Sequence, residues 1–212
     1  MRALEDTTVS RSVGSPANGR LENGKRLPTA GRNFAAYSRL GALLGRNSVH
    51  GAVRDTVLAA YEEMQKTVSD QFFVYGETGW PTGGRFRPHR THQNGMSVDF
   101  MMPVRDAASE HVVVFPTSPL NKFGYGEEFD RSGNNGNLRI DFDAVARHLA
   151  ALDRAATGRR LKIQRVILAP EFLPLLRQTP AGSRLEGRLP FMSTPAWIRH
   201  DEHYHVDFEE AG

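Results

Sequence analysis

Apolar residues recur with helical spacing in two long stretches of the chain, and each predicts an amphipathic helix that faces a core. The first follows Ser48, which we predict as the N-cap, and its apolar residues are Val53, Val57, Tyr61, Met64 and Val68. The second carries Phe142, Val145, Leu149, Leu152 and Ala156, and Gly158 follows as its predicted end. Residues 171–178 add a short helix at most, because Pro174 is tolerated only in a first turn.

Short runs rich in β-formers predict strands at residues 71–75, 97–104, 111–115, 161–168 and 203–208. The strands and helices do not alternate regularly. We therefore predict an α+β fold: a single domain with a central antiparallel or mixed sheet flanked by helices.

Two segments read as loops. Residues 1–35 are rich in Gly, Asn, Pro and Ser, and Asn18-Gly19 and Asn23-Gly24 predict tight turns. We expect a loop-rich N-terminal segment, residues 1–35, packed on a domain of residues 36–212. Residues 117–137 are polar and long, so they are either disordered or part of a binding cleft, and we favour the cleft.

Composition narrows the function classes. The 212 residues contain no cysteine, which excludes disulfides and thiolate metal sites. The net charge of +3 favours an anionic partner, but Lys and Arg are spread along the chain, which argues against nucleic acid. No run of 18 apolar residues predicts a membrane span. Residues 1–15 have no apolar core, so we expect an exported protein in mature form or a route without a signal peptide.

The candidate chemistry lies in two histidine-rich stretches. On a strand, His203 and His205 would point to one face and Tyr204 to the other. Such a pair alone is also typical of surface histidines on an edge strand. His92 and Asp99 change the balance, because two imidazoles and a carboxylate are a catalytic zinc set that leaves a position for water.

These stretches resemble a known group of zinc peptidases. The segment His92-Gln-Asn-Gly-Met-Ser-Val-Asp99 resembles the H-x6-D motif, and His203-Tyr-His205 the HxH motif, of the lysostaphin, D-Ala-D-Ala metallopeptidase and hedgehog group. Within that group the chain is most similar to the penicillin-insensitive murein endopeptidases. The likeness includes residues 13–19, Leu27-Pro28, His89 three positions before His92, and His200-Asp201.

The resemblance implies a fold of the hedgehog and D-Ala-D-Ala-peptidase type and roles for individual residues. His92, Asp99 and His205 would bind Zn²⁺, and His203 would hydrogen-bond the attacking water or the tetrahedral intermediate. The implied reaction is hydrolysis of peptide cross-links in murein. The zinc would activate the water and polarise the scissile carbonyl.

Two features depart from the family pattern. The cysteines of relatives are missing, with Arg20 standing where a cysteine often follows the Asn-Gly turn. Glu202 lies three positions before His205 and fits the ExxH pattern of D-Ala-D-Ala carboxypeptidases, in which the glutamate is the general base. His203 is our first candidate for the base and Glu202 the second.

Four further residues are assigned to the site. His89 and His200 are predicted either to hydrogen-bond and orient a metal ligand or to bind a second metal. The alternative is that each is an ordinary loop histidine with a hydrogen bond. Trp80, in the Gly-rich segment before the first motif, and Tyr204 are predicted to contact substrate, although Trp80 could equally be a core residue.

The predicted function is therefore a zinc-dependent murein endopeptidase in the periplasm, or secreted, with the peptides of peptidoglycan as its partner. The alternatives are a D,D- or L,D-carboxypeptidase, a secreted antibacterial murein hydrolase, and a non-catalytic wall-binding module. An inhibitor or immunity protein and the oligomeric state stay open at this level.

Overall fold

The computed structural model describes residues 8–68 and 70–212, and within them the chain forms an α+β fold. In chain order the strands are β1 (Arg11–Ser15), β2 (Asn18–Glu22), β3 (Lys25–Arg26), β4 (Phe34–Ala36), β5 (Ser48–Val49), β6 (Phe73–Tyr75), β7 (Ser97–Met101), β8 (Val104–Asp106), β9 (Val112–Val113), β10 (Asn134–Asn135), β11 (Leu138–Ile140), β12 (Leu161–Ile167) and β13 (His203–Glu210). The α-helices are α1 (Arg39–Leu43), α2 (Gly51–Thr67), α3 (Phe142–Thr157) and α4 (Leu173–Gln178). The predicted fold class is confirmed.

A five-stranded mixed sheet organises the fold, in the order β12-β13-β7-β6-β4. Adjacent strands within this sheet are antiparallel, except that β4 and β6 run parallel to each other. The pairing of β13 with β7 places His205 opposite Asp99 and Asp207 opposite Ser97. Directly opposite residues of an antiparallel pair project to the same face, so these four side chains meet on one side of the sheet.

The two long helices cover the other face of the central sheet. Tyr61 of α2 stacks on His148 of α3, and His148 stacks on Phe73 of β6. Tyr204 points into this layer and stacks on Phe100 of β7. The main core thus lies between the sheet and the helices, which leaves the face with His205 and Asp99 available for a site.

The predictions of both long helices are confirmed, but one of the two helices begins at a different residue from the one predicted. The second predicted helix is α3, which has Asp141 as its N-cap and Gly158 as its C-cap. The first is α2, but its N-cap is His50, whose Nδ1 accepts from the Ala52 amide, and not Ser48. Ser48 instead belongs to β5, because its backbone pairs with β3.

Two predicted boundaries are wrong. The turn at Asn18-Gly19 lies two residues earlier, because Ser15 pairs with Asn18 and Pro16-Ala17 occupy the turn. The single strand predicted at residues 97–104 is divided into β7 and β8, which belong to different sheets. Pro103 lies between them, and a proline has no amide hydrogen to donate to a ladder. Within the residues described, no helix is long and apolar enough to cross a membrane.

Candidate metal centre

The strand pair β7 and β13 positions the core of the candidate site. Asp99 is fully buried, and the Nδ1 atom of His205 lies 2.8 Å from its Oδ1. His203, two positions earlier on the same face, places its Nε2 3.8 Å from Asp99 Oδ2. The period of two that predicted this geometry from the sequence therefore holds in the structure.

His92 reaches the same carboxylate from the loop before β7. Its Nε2 lies 3.3 Å from Asp99 Oδ1, and its Nδ1 lies 2.9 Å from the carbonyl oxygen of Thr78. A carbonyl only accepts, so Nδ1 carries the proton and Nε2 presents a lone pair. Burial lowers the pKa of His92 and so favours the neutral ring. Its Nε2 is buried and has no hydrogen-bond partner within the described residues.

His205 differs from His92, because both of its ring nitrogens face carboxylate oxygens. Its Nε2 lies 2.8 Å from Asp207 Oδ1, while its Nδ1 faces Asp99. Although burial acts against it, the carboxylates of Asp207 and Asp99 raise the pKa of His205 to about 10. The ring therefore lies where positive charge is strongly favoured, and a divalent cation at Nδ1 would replace the second proton.

His203 is oriented by its neighbour Glu202. The His203 Nδ1 donates to Glu202 Oε1 at 2.9 Å, which leaves Nε2 directed at Asp99. Burial lowers the pKa of His203, but the Asp99 and Glu202 carboxylates outweigh burial and raise it above the ordinary value. Glu202 thus acts through His203 in this arrangement.

His89 is a further donor on the rim of the site. Its Nδ1 lies 3.8 Å from Asp99 Oδ2, and its Nε2 lies 2.6 Å from Glu77 Oε2. His89, His92 and Asp99 offer donor atoms that all lie within 4.8 Å of one another and could hold a metal ion. The sequence suggested His89 only as a residue that orients a metal ligand or binds a second metal, and the structure brings it close to Asp99.

Asp99 is the point on which these groups converge. Burial alone would raise its pKa, but the rings of His92, His203 and His205 hold it well below its usual value. The site therefore combines a buried carboxylate with three imidazole nitrogens that are directed at it. Nitrogen and oxygen donors that converge in this way suit a divalent metal, which would take the place of the His205 proton.

Three supporting residues were missed from the sequence. Asp207 is fully buried and accepts from Ser97 Oγ at 2.5 Å, from His205, and from Arg165 Nε at 2.9 Å. Tyr125 donates from its hydroxyl to Asp99 Oδ2 at 2.9 Å and accepts from the Glu77 amide at 2.8 Å. Asp207 lies two positions after His205 on the same face of β13, and this spacing could have identified it from the sequence. Tyr125 and Glu77 lie in loops, where no periodicity identifies them.

Glu77 and Tyr125 are held in defined protonation states by their surroundings. Burial opposes it, but His89, Arg46 and Tyr37 lower the pKa of Glu77 to about 2, so it stays ionised. Burial, with Asp99 and Glu77, raises the pKa of Tyr125 well above 10, so its hydroxyl stays a donor. The loop predicted as a cleft contributes Tyr125, Phe123 and Lys122 to the cavity wall, which confirms the cleft interpretation.

A cavity of about 780 Å³ opens onto the site. The polar residues that line it include His89, His200, Glu202, His203 and His205. Apolar residues also line it, and four large ones are exposed to solvent: Leu40, Leu44, Trp197 and Ile198. Such a volume with convergent polar groups is typical of a substrate site.

The remaining predicted residues lie as follows. His200 lines the cavity, donates from Nδ1 to the Ile198 carbonyl at 2.9 Å, and packs on His203 with 4.6 Å between ring centroids. Burial lowers the pKa of His200 to about 4. Trp80 is outside the cavity lining, and its ring packs on Phe86 and under Arg46.

The assignment of Tyr204 to substrate binding is wrong. Tyr204 is fully buried on the helix-covered face of the sheet, and its hydroxyl lies 2.6 Å from His148 Nδ1. Alternation along β13 sends it away from His203 and His205, so it can only support the site from behind.

A family model described as penicillin-insensitive murein endopeptidase matches residues 12–210, nearly the whole chain. No curated protein matches the chain with statistical significance.

Proposed function

The chain belongs to the family of penicillin-insensitive murein endopeptidases, and we propose that it is a zinc-dependent endopeptidase that hydrolyses the peptide cross-links of murein. The family supports a hydrolase that acts on murein. The observation that carries the zinc assignment is the buried Nε2 of His92, which has no hydrogen-bond partner among the described residues and lies 3.3 Å from the buried carboxylate of Asp99.

We assign His92, Asp99 and His205 as the zinc ligands. His205 and Asp99 are directly opposite on paired strands, which makes their separation rigid. The ring nitrogen of each histidine that faces away from the metal position is hydrogen-bonded, as expected for metal-binding imidazoles. Asp207 accepts from His205 Nε2, and the Thr78 carbonyl accepts from His92 Nδ1. His89 is on a loop and hydrogen-bonded to Glu77, so we assign it to the rim, where it can contact substrate or complete the coordination.

When bound, zinc would supply Lewis acidity to the scissile carbonyl and acidify a water molecule. The remaining chemistry belongs to side chains. His203 accepts a proton from the attacking water at Nε2, because Glu202 occupies Nδ1. The carbonyl carbon gains the water oxygen, the C–N bond breaks, and the proton passes from His203 to the leaving amine. Tyr125, protonated and fixed, orients Asp99 through its hydroxyl.

The cavity is suited to a peptide with small side chains. Leu40, Leu44, Trp197 and Ile198 all line it, and methyl groups such as those of alanine would pack against these side chains. A peptide substrate of the wall also implies action outside the cytoplasm, in the periplasm or after secretion, and this localisation is part of the proposal.

A carboxypeptidase is the second candidate, because Glu202 lines the cavity next to His203 and fits the ExxH pattern. An endopeptidase separates cross-linked dimers into monomers, whereas a carboxypeptidase shortens monomers by one residue. A binding module of the same fold releases nothing.

Digestion of purified sacculi followed by mass spectrometry of the soluble fragments tests the proposal. We expect monomeric fragments from the wild type, about one zinc per chain, and loss of both activity and zinc in His205→Ala. His111→Ala is the matched control, since His111 is exposed and does not line the cavity. Release of fragments by the enzyme after exhaustive chelation would refute the zinc assignment. So would a folded His205→Ala protein that remains active.

A further inference from the structure

A second groove lies beside the main cavity and is lined by positive charge. Its volume is about 630 Å³, and its walls include Arg85, Arg87, Arg90, His89 and Gln93. None of its lining residues is a carboxylate. Pro88, His89 and Arg90 line both the groove and the main cavity, so the two are continuous past His89.

The guanidinium groups of this groove are free to bind a ligand. Over residues 8–68 and 70–212, Arg85, Arg87 and Arg90 take part in no ion pair, and Arg90 only lies over the Trp197 ring, 4.9 Å from its centroid. Another arginine-lined groove differs, because three of its four arginines are paired: Arg147, Arg154 and Arg188 contact Asp143, Glu63 and Asp153. Unpaired arginines facing one groove leave a positive potential that favours an anion.

We infer that this groove binds free carboxylates of the murein peptide, at a position next to the bond that is cut. The inference rests on the proposed function and names a specificity-determining subsite for it. Arginine matches a carboxylate with two parallel N–H donors, so a carboxylated peptide is the expected occupant. The substrate would lie across His89, with its uncharged part against the apolar side chains of the cavity and its carboxylates among the arginines.

The contact of Arg90 with Trp197 gives this subsite a fixed edge. Trp197 comes from the loop before β13 and lines the main cavity, whereas Arg90 lines both the cavity and the groove. The cation–π contact therefore lies at the junction of cavity and groove. Arg85 and Arg87 are exposed and line the groove but not the main cavity, so their removal should leave this junction intact.

The test uses the double variant Arg85→Gln/Arg87→Gln and a ligand without a cross-link, the disaccharide tetrapeptide monomer, in free-carboxylate and fully amidated forms. We expect the variant to bind the free-carboxylate form on the order of tenfold more weakly than the wild type, with a smaller dependence on salt. The amidated form should bind both proteins equally. Arg32→Gln/Arg184→Gln removes two exposed charges that line neither the cavity nor the groove, and should match the wild type.

Equal affinity of wild type and Arg85→Gln/Arg87→Gln for the free-carboxylate monomer would overturn the inference. So would an equal loss on the amidated monomer, because that would report altered structure and not lost recognition. Binding to a monomer requires no hydrolysis. A wild type that discriminates the two monomers but never cuts sacculi would therefore refute the proposed function and keep the subsite.

Discussion

Asp207 is the residue most directly coupled to the proposed zinc ligands without being one of them. It holds the Nε2 of His205 and is itself held by Ser97 and Arg165. We expect Asp207→Asn to weaken zinc binding about 10- to 100-fold, because the amide holds His205 less firmly and makes it a poorer donor. Competition with a chelator measures this. Glu209→Gln, two positions on and paired with Lys162 at the surface, is the control and should bind zinc normally.

His203 and Glu202 have separable roles that mutation can resolve. His203→Gln should lower kcat about 10²- to 10⁴-fold, because the proton acceptor is lost. Glu202→Gln should cost less, since the amide oxygen can still accept from His203 Nδ1. Rates on cross-linked muropeptides measure both, and a larger loss in Glu202→Gln than in His203→Gln would move the base to Glu202.

Gly76 is needed for the close approach of Tyr125 to Asp99. A Cβ atom at this position would lie 2.4 Å from the Tyr125 hydroxyl and 3.0 Å from Asp99 Cβ. We expect Gly76→Ala to displace Tyr125 and reduce kcat at least tenfold while the chain still folds. Gly158→Ala is the control, because its Cβ atom would lie 3.7 Å from the Ala155 carbonyl oxygen, an ordinary contact, and it should keep full activity.

At the scale of elements, helix α3 is joined to strand β13 by a buried polar contact. The Tyr204 hydroxyl donates to His148 Nδ1, and the His148 ring lies among Tyr61, Phe73 and Phe100. Burial lowers the pKa of His148 to about 3. In the unfolded chain His148 therefore becomes protonated near pH 6.5, whereas in the folded chain it stays neutral until the pH is much lower.

This contact predicts a loss of stability in acid. Between about pH 6 and pH 3, His148 should reduce the free energy of unfolding by up to about 1.4 kcal/mol per pH unit, and above pH 7 it should have no effect on the slope. His148→Asn keeps an acceptor for Tyr204 but does not titrate. Urea unfolding at pH 7 and pH 4.5 should show a smaller difference in the variant, and an equal difference would assign the acid sensitivity to other groups.

The sequence predicted elements well where one periodicity governs several residues. Both long helices and the alternation of His203, Tyr204 and His205 follow from side-chain spacing along a single element. The register of β13 on β7 does not follow from such spacing, because it brings together residues that are 106 positions apart in the sequence. The role of Tyr125 depends on the path of a loop across the sheet, and no local pattern encodes such a path. Tyr204 shows the reverse case: its alternation was correct, and its assignment to substrate was not.

At the scale of the whole molecule, the proposed zinc joins two parts of the chain that meet only in the folded state. Asp99 and His92 precede the middle of the sequence, and His205 is near its end. Removing zinc should therefore lower the melting temperature, because a ligand that binds only the folded chain stabilises it. Differential scanning calorimetry with and without chelator measures this, and His205→Ala should show no response to added zinc.

Strand β13 is the last element in chain order, yet it occupies an inner position of the central sheet, between β12 and β7. Until it inserts, the edges of both neighbours are unpaired and two of the reactive imidazoles are absent. A polypeptide whose β13 has not yet paired therefore lacks His203 and His205 at the site, and we expect hydrolysis to begin only when β13 joins β7.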